Sequence, residues 1–326
     1  MKKILIISYK GDIHLELVTE YLRMKNVKYF ILNIDDYPCC YTIVHSLSNN
    51  GISATIKRNS DNDVISLEDI SVVWSRKSAE FSYHSPVDDE EKDFLDNESK
   101  HALFGILFSK DVKWINDPRK VRYSLWKSEQ LTRAVRFGFN ISPTLISNDP
   151  NKVRLFHKEN STLIYKPLYD DCVYSSRDNY EDSLFVSTTI LDEDMISDHE
   201  SISLVPNQIQ ALIEKKFELR VYVIGEQVVA FKLDTQKSKY SRLDSRNLNS
   251  DYPIELYNLT DDVKDLCLEF TKSYGLVFSA IDIVHDIDGK LIFLEQNPNG
   301  QFRYHEQVCS TNLVSKFIAE VLTEYV

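Results

Sequence analysis

Asp282, Glu295 and Asn297 have the side-chain types and the spacing of a metal site. They lie on or beside two β-rich runs, Ile281 to Val284 and Lys290 to Glu295, which are typical of a hairpin. If Asp282 lies across from Glu295, their like charges are only about 5 Å apart at Cβ and destabilise the sheet unless a cation lies between them. Asn297 points to the same face as Glu295 because side chains alternate along a strand. Three such oxygen ligands suit Mg²⁺.

The turn between the two runs sets this pairing. Asp288-Gly289 predicts a two-residue turn in which Ile287 pairs with Lys290. Counting back from that pair places Asp282 opposite Glu295. The alternative is that both acids lie on a solvated sheet face, but strands this apolar are not typical of an exposed hairpin.

Length and charge restrict the class of protein. A chain of 326 residues is long enough for two or three subdomains. Its net charge of -12 argues against a nucleic-acid partner, which needs a basic surface. No run reaches transmembrane length, the apolar run near the start is too short for a signal peptide, and the five cysteines form no zinc or disulfide pattern. We therefore expect a cytoplasmic protein with no membrane partner.

Common catalytic signatures are absent from the sequence. It contains no Gly-x-x-x-x-Gly-Lys phosphate loop, no Gly-x-Gly-x-x-Gly, no His-Glu-x-x-His and no Gly-x-Ser-x-Gly. The chain has only eight glycines. Any nucleotide must therefore be held by side chains and sheet edges rather than by a glycine-rich loop.

The elements that must position these residues indicate an α/β protein. The predicted N-terminal elements are strands at 2–9, 29–34, 52–57 and 72–76 and helices at 15–24 and 101–108. The predicted later elements are a helix at 124–137 ended by Gly138, strands at 163–166, 184–191, 217–224 and 228–233, and helices at 261–274 and 313–322.

Four charged residues on these elements could have either a structural, solvent-exposed role or a role in ligand binding. Lys166 ends a buried-type strand, where an ammonium needs an anion nearby, whereas a helical lysine such as Lys127 is usually solvent-facing. Glu218 and Arg220 share one face of a strand. They form either a surface ion pair of little energetic value or a ribose and phosphate contact. Local sequence leaves both interpretations open.

The order of these motifs resembles the ATP-grasp ligases. The ordered set is Lys127, Lys166-Pro167, Gln210 to Ile213, Glu218-x-Arg220, Asp282 and Glu295-x-Asn297. The implied nucleotide contacts are Lys127 and Lys166 on the ATP phosphates, Gln210, Ala211, Leu212 and Ile213 along the adenine edge, and Glu218 on the ribose. The resemblance also implies Arg220 on the transferring phosphate or acyl phosphate and Asp282, Glu295 and Asn297 on magnesium ions.

More narrowly, the chain resembles the graspetide synthetases, ATP-grasp maturases of ribosomal peptides that include the microviridin and grasp-with-spasm types. The supporting motifs are Val73-Trp74-Ser75-Arg76, Trp114 to Pro118, Thr144 to Pro150, Asp244-Ser245-Arg246 and Asn297 to Phe302. Two features depart from the pattern. The loop after Pro167 lacks the expected glycine, and Ser245 replaces an aromatic residue.

The resemblance implies an α/β (α+β) ATP-grasp fold in three parts. Residues 1–117 would form an N-terminal pre-ATP-grasp α/β domain. Residues 118–205 would form the central ATP-grasp subdomain, and 206–326 the C-terminal subdomain with the metal site. The two subdomains would sandwich ATP.

The implied function is an ATP-dependent carboxylate ligase. It would activate Asp or Glu side chains of a ribosomal precursor peptide as acyl phosphates and close ester or amide macrocycles with Ser, Thr or Lys. Arg220 and Arg246 would act in catalysis, with ATP and Mg²⁺ as cofactors. The partner would be a leader plus an acidic, hydroxyl-rich core, and a homodimer stays open. The alternatives are a ligase that adds a free amino acid such as glutamate, and a non-catalytic nucleotide-binding module.

Overall fold

The computed structural model describes residues 2–169, 172–173, 184–244 and 251–326. The chain divides into two compact units. The first comprises Met1–Val121, Leu276–Phe278 and Asn299–Val326, and the second Arg122–Gly275 and Ser279–Pro298. The three-part division at residues 117 and 205 stays a prediction.

Helices and strands alternate through much of the chain. Within the described residues the strands are β1 (Lys3–Ser8), β2 (Tyr29–Asn33), β3 (Tyr41–Ser48), β4 (Gly51–Arg58), β5 (Val64–Ser66), β6 (Ile70–Ser75), β7 (Lys113–Ile115), β8 (Asn140–Ile141), β9 (Thr144–Ser147), β10 (Leu163–Lys166), β11 (Cys172–Val173), β12 (Leu184–Phe185), β13 (Thr189–Ile190), β14 (Asn207–Ala211), β15 (Lys215–Ile224), β16 (Gln227–Leu233), β17 (Ile254–Tyr257), β18 (Phe278–Asp286) and β19 (Leu291–Asn297). The α-helices are α1 (Leu15–Met24), α2 (Asp89–Phe108), α3 (Pro118–Ser124), α4 (Lys127–Phe137), α5 (Pro150–Glu159), α6 (Glu193–Ser197), α7 (His199–Leu204), α8 (Asp261–Ser273), α9 (Arg303–Val308) and α10 (Leu313–Thr323). None of these helices is long and apolar enough to cross a membrane.

A four-stranded parallel sheet organises the first unit. Its strand order is β2-β1-β6-β7, and all three pairings are parallel. The run Ile4 to Ile7 in β1 is almost fully buried, as expected for a strand covered on both faces. Helix α1 packs against α10, whose Val314, Ile318 and Leu322 are buried.

The first unit also contains an antiparallel sheet that the sequence predicted only in part. Strand β4 pairs with β3 on one side and with β5 on the other. The apolar pattern at 52–57 predicts β4, whereas its two partner strands were not predicted. Five of the eight residues of β3 are exposed, so its sequence does not show the uninterrupted apolar run of a buried strand.

Two sheets organise the second unit. One has the order β13-β10-β14-β9, and the other is six-stranded with the order β17-β16-β15-β18-β19-β8. The smaller sheet packs on Val153 of α5 and on Ile196 and Ile202 of α6 and α7. Strands β15, β18 and β19 are adjacent in the larger sheet, so residues far apart in sequence meet on one surface.

The helix predicted at 124–137 is wrong at its start. Helix α3 ends at Ser124, and Trp126 is extended with φ -72° and ψ 102° before α4 begins at Lys127. The predicted end is confirmed: Gly138 follows α4 with φ 97°, a left-handed conformation that favours glycine. Lys127 therefore stands at the first position of its helix. The strand predicted at 184–191 is also two short strands, β12 and β13.

Candidate nucleotide and metal site

The pairing of Asp282 with Glu295 is confirmed. Strands β18 and β19 are antiparallel, and Asp282 is the Cα partner of Glu295 while Ala280 is the partner of Asn297. Glu295 and Asn297 are two residues apart on one strand and therefore share a face. The hairpin brings two carboxylates and one amide to the same part of the sheet.

The predicted turn of this hairpin is wrong. The N–H of Asp286 donates to the carbonyl of Lys290 at 3.0 Å, so three residues separate the last paired residues, and Ile287 does not pair with Lys290. A register shift between Asp282 and Ile283 compensates, because Ile283 pairs with Phe293 and leaves Leu294 as an extra residue. The bulge at Leu294 restores the pairing that the sequence analysis derived from a shorter turn.

Arg220 forms an ion pair with Asp282 from the adjacent strand β15. Its Nη1 donates to both carboxylate oxygens of Asp282, at 2.8 and 2.6 Å. The pKa of Asp282 is raised to about 6, because burial and the charges of Glu295 and Glu218 together outweigh the lowering effect of Arg220. Burial lowers the pKa of Arg220, but the interactions with Asp282 and Tyr222 together outweigh this effect and raise it overall. Negative charge at Asp282 is therefore only partly compensated by the protein.

Lys127 contacts the second carboxylate. Its Nζ lies 3.5 Å from Oε2 of Glu295 and donates to the carbonyl of Pro167 at 2.8 Å. This lysine therefore connects the start of α4 to the loop after β10 and to the hairpin of β18 and β19. We name this pair of strands, which carries Asp282, Glu295 and Asn297, the metal-type hairpin. Of the two interpretations of Lys127, the structure contradicts the solvent-facing one, since the side chain is only 22% exposed.

Lys166 lies close to the same acids. It ends β10 opposite Gln208 of β14. Burial lowers the pKa of its ammonium group, and the charges of Glu295 and Glu218 act in the opposite direction. Two carboxylates of the larger sheet therefore favour the charged form of this lysine, but they do not outweigh its burial.

Glu218 is held by a cation that the sequence analysis did not single out. Lys215 Nζ donates to Glu218 Oε1 at 2.6 Å and to the carbonyl of Leu243 at 3.1 Å, and Thr235 Oγ1 donates to Glu218 Oε1 at 3.2 Å. Strand alternation places residues 215 and 218 on opposite faces. Lys215 reaches Glu218 because it is the first residue of β15, and this departure from alternation has no signal in the sequence.

Gln130 is a second residue that the sequence analysis missed. Its side chain donates to the carbonyl of Gln296 at 2.9 Å and accepts from the N–H of Gln296 at 2.8 Å. Gln296 lies between Glu295 and Asn297, so this pair of bonds fixes the backbone that carries both oxygen ligands. The available signal was its position three residues after Lys127, on the same face of a helix.

The segment Gln210 to Ile213 has few free backbone groups. The N–H of Ala211 donates to Pro143 and that of Leu212 to Thr162, each at 2.9 Å, while the Gln210 side chain donates to Thr144. Among the described residues, Ile213 has no backbone hydrogen bond. Ile213 therefore offers the free groups for an adenine edge within this segment.

Arg246 lies outside the described residues, as does Ser245. The first residue of that motif is described: Asp244 accepts from the Oγ1 of Thr188 at 3.0 Å and from its N–H at 3.4 Å. Asp244 thus ties the chain before Arg246 to the segment before β13.

The donor set at the hairpin fits magnesium. Two carboxylates and an amide offer only hard oxygen ligands. No group of three or more His, Cys, Asp and Glu side chains in the described parts of the chain could hold a metal ion alone. A site with so few charged protein ligands suits Mg²⁺, which usually takes its remaining ligands from water and substrate phosphates.

Family comparisons agree with this geometry. The model of the MvdD pre-ATP grasp domain matches residues 3–122, and that of the RimK-like ATP-grasp domain matches residues 187–321. The α/β architecture and these two domains identify the chain as an ATP-grasp ligase. Within that class it resembles the graspetide synthetases, which confirms the resemblance noted in the sequence.

Solved structures match the chain over its whole length. A RiPP-associated ATP-grasp ligase of Chryseobacterium gregarium, solved in complex with ADP and a leader and core peptide, has a TM-score of 0.90 and 28% sequence identity. The match covers 100% of this chain and 98% of that one. The macrocyclase MdnC of Microcystis aeruginosa MRC, solved with the precursor peptide MdnA, has a TM-score of 0.85 at 24% identity and covers 99% of each chain. The similarity to MdnC shows that the two chains share a fold.

A curated relative matches a smaller part of the chain. The uncharacterized protein MG012 of Mycoplasma genitalium is 27% identical over 118 residues, which are 34% of this chain and 40% of that protein. The matched part spans less than half the length of this relative.

Proposed function

We propose that this chain is an ATP-dependent ligase that activates Asp or Glu side chains of a ribosomal precursor peptide as acyl phosphates and closes ester or amide macrocycles with Ser, Thr or Lys. One observation carries this proposal: the likeness to the Chryseobacterium ligase, solved with ADP and a leader and core peptide, extends over all of this chain. A free amino-acid ligase and a non-catalytic module share the nucleotide site but do not account for that full-length match.

The charged residues of the second unit would bind the nucleotide. Lys127 and Lys166 would contact the phosphates, Glu218 the ribose, and the segment from Gln210 to Ile213 the adenine edge. Lys127 pairs with Glu295 and Arg220 pairs with Asp282. The phosphates of ATP are alternative anions for these two cations, so the ion pairs hold them near the place where they are needed.

Asp282, Glu295 and Asn297 would hold Mg²⁺, which when bound supplies charge neutralisation on the phosphoryl oxygens. The raised pKa of Asp282 supports this assignment, because it shows a carboxylate whose ionised form needs further positive charge. Arg220 would orient the transferring phosphoryl group with its guanidinium, whose Nη1 donates to both oxygens of Asp282.

The reaction has two steps. A carboxylate oxygen of the peptide attacks the γ-phosphorus of ATP, and the bond to the leaving oxygen of ADP breaks, which gives an acyl phosphate. A hydroxyl or an uncharged amine of the same peptide then attacks the acyl carbon, and inorganic phosphate leaves. The peptide loses one water per ring. The site must exclude water, because otherwise water replaces the hydroxyl or amine.

Substrate placement would involve Arg246. An arginine can hold a carboxylate through two parallel hydrogen bonds, and Asp244 anchors the chain two residues before it. The peptide partner would carry a leader and an acidic, hydroxyl-rich core. A homodimer and a cytoplasmic location stay predictions.

Acceptor-dependent ADP release tests the proposal. We expect the purified chain with ATP and Mg²⁺ to release ADP faster when a precursor peptide with a leader and an acidic, hydroxyl-rich core is added. Free glutamate with a protein acceptor should have no such effect. Stimulation by free glutamate and not by the peptide would reject the macrocyclase in favour of an amino-acid ligase.

A further inference from the structure

The parallel sheet of the first unit has a topological switch point. The chain passes from β1 through α1 to β2 on one side, whereas β6 pairs with the other side of β1. In open parallel sheets, ligands bind outside the carboxyl ends of the strands where the order reverses in this way. Here that place is formed by the residues after Ser8 of β1 and after Ser75 of β6.

Five charged or titratable residues of the first unit gather there, and we name them the switch-point cluster: Asp12, His14, Arg76, Lys77 and Arg303. Asp12 is fixed by its neighbours, because its carboxylate accepts from Ser8 Oγ at 2.6 Å and from the N–H of His14 at 3.0 Å. Arg76 Nε lies 3.8 Å from Asp12, and both side chains are almost fully buried, at 4% and 0% exposure. The single carboxylate of the cluster is thus already engaged.

Arg76 is also fixed in place. Its N–H donates to the carbonyl of Ile7, its Nη1 donates to the carbonyl of Asn299 at 3.0 Å, and its guanidinium lies 5.7 Å from the ring centre of Phe302. A planar cation held by three contacts is preorganised. Its position does not depend on a ligand.

Lys77 carries positive charge that the protein does not compensate. The ammonium group is partly buried and has no hydrogen bond or ion pair within the described parts of the chain. Burial lowers its pKa, and the neighbouring Arg76 lowers it further against the effect of Asp12. An uncompensated, partly buried cation in a chain of net charge -12 implies an anionic ligand.

His14 and Arg303 complete the cluster. Burial lowers the pKa of His14 to about 4, and Arg76, Lys77 and Arg303 lower it against Asp12, so the ring is neutral. His14 Nδ1 accepts from the N–H of Arg303 at 3.3 Å, which places the ring proton on Nε2 as a donor. Arg303 lies 4.0 Å from Glu306, whose carboxylate already accepts from Ser315.

We propose that the switch-point cluster is an anion subsite that binds a carboxylate of the acidic peptide substrate. Lys77 is its principal cation, and Arg76 is a second cation that the protein holds in place. The carboxylate assignment rests on the proposed function, because that function supplies an acidic peptide. The proposal adds a substrate contact in the first unit, separate from the nucleotide and metal residues of the second.

A titration with small probes tests the subsite in the full chain. The probes are N-acetyl-glutamate amide, its neutral isostere N-acetyl-glutamine amide, and inorganic phosphate, and the readout is the amide NMR signals of residues 76 and 77. We expect saturable shifts with the glutamate probe only. Lys77→Gln should weaken its binding about tenfold, as expected for the loss of one charged hydrogen bond. Lys100→Gln, which removes an exposed charge of α2, should bind like the parent.

Each other outcome overturns the assignment. Shifts with phosphate alone would show a phosphate subsite, and equal binding by Lys77→Gln and the parent would exclude Lys77. ADP affinity, measured by calorimetry on the same variants, separates this test from that of the proposed function. If the parent does not bind ADP, the proposed ligase function is rejected. If the parent binds ADP but does not bind the glutamate probe, only the subsite is rejected.

Discussion

Asp282 shows why the candidate site requires a cation. Its ion pair with Arg220 has good geometry, but burial and two nearby carboxylates still raise its pKa to about 6. Desolvation therefore exceeds the attraction of the single guanidinium, as is common for buried ion pairs. The opposed acids do not stabilise the sheet by themselves, which supports the proposal that they hold a cation.

We predict that Glu295→Gln keeps the fold and lowers ADP release at ordinary Mg²⁺ concentrations by at least about a hundredfold, the usual scale for one preorganised charged group. A neutral amide removes the charge that attracts the metal. Steady-state ADP release is the measurement. Glu255→Gln, which removes an exposed acid of β17 that pairs with Lys232, is the matched control. Parent-like turnover in Glu295→Gln would refute the metal assignment.

Lys166→Ala should weaken ATP binding by about tenfold to a hundredfold while leaving adenosine binding almost unchanged. The substitution removes a charged phosphate contact and does not touch the segment from Gln210 to Ile213. Calorimetry with both ligands measures the difference. Lys158→Ala on the exposed side of α5 should resemble the parent. Equal ATP affinity in parent and Lys166→Ala would assign Lys166 a purely structural role.

The hairpin shows what can and cannot be predicted from a sequence at the scale of an element. Apolar runs on both sides of a Gly turn were enough to predict two paired strands. The pairing of Asp282 with Glu295 was derived from a two-residue turn, and it is correct only because the bulge at Leu294 offsets the longer turn. The three-residue turn and the bulge at Leu294 were not predictable, because each depends on backbone geometry that residue types allow but do not require.

Some ends of helices could be predicted from the sequence, and others could not. The end of α4 was predictable, since Gly138 supplies a left-handed residue at little cost. The break between α3 and α4 was not, because Leu125 and Trp126 continue the apolar pattern of a helix. Lys215 and Gln130 were missed because their roles depend on contacts with Glu218 and Gln296 rather than on a local pattern.

Two glycines in different backbone conformations should respond oppositely to alanine. Gly138→Ala should lower the free energy of unfolding by about 1 kcal/mol, because an L residue is strained at φ 97°. Gly105→Ala should raise it by about 0.5 to 1 kcal/mol, since this exposed helical position in α2 leaves open space for a Cβ. Chemical denaturation measures both. Equal effects of the same sign would contradict the assigned conformations.

The free energy of unfolding should depend on pH through His14, whose Nδ1 accepts from the N–H of Arg303 at the start of α9. His14 is buried and neutral, with a pKa lowered from 6.5 to about 4. Its contribution is present above pH 6.5 and is lost as the pH falls, because the unfolded chain then takes up the proton. Between pH 7 and 5 the loss should be about 2 kcal/mol.

His14→Asn isolates this contribution, because its side-chain oxygen can replace Nδ1 as an acceptor but does not titrate. Denaturation of the full chain at pH 7 and pH 5 is the measurement. The variant should lose less stability than the parent over this interval. An identical loss in both proteins would show that His14 does not carry the effect.

At the scale of the whole molecule, the chain returns to its first unit twice. Residues 276–278 and 299–326 group with residues 1–121, and the segment between them carries the metal-type hairpin of the second unit. A sequence pattern cannot show this grouping, because the contacts join residues far apart along the chain. The full-length likeness to the Chryseobacterium ligase was therefore needed to choose among functions that share one nucleotide site.

Mass spectrometry of a cognate precursor peptide tests the central claim most directly. The chain would be incubated with ATP, Mg²⁺ and a precursor peptide that carries a leader and an acidic, hydroxyl-rich core, with Glu295→Gln as the inactive control. Arg246→Ala, tested in parallel, should still bind ATP but form few rings. For the parent we predict peptide masses lower by one water per ring, produced in step with ADP. ADP release without any loss of water from the peptide, or addition of a free amino acid to it, would contradict the account.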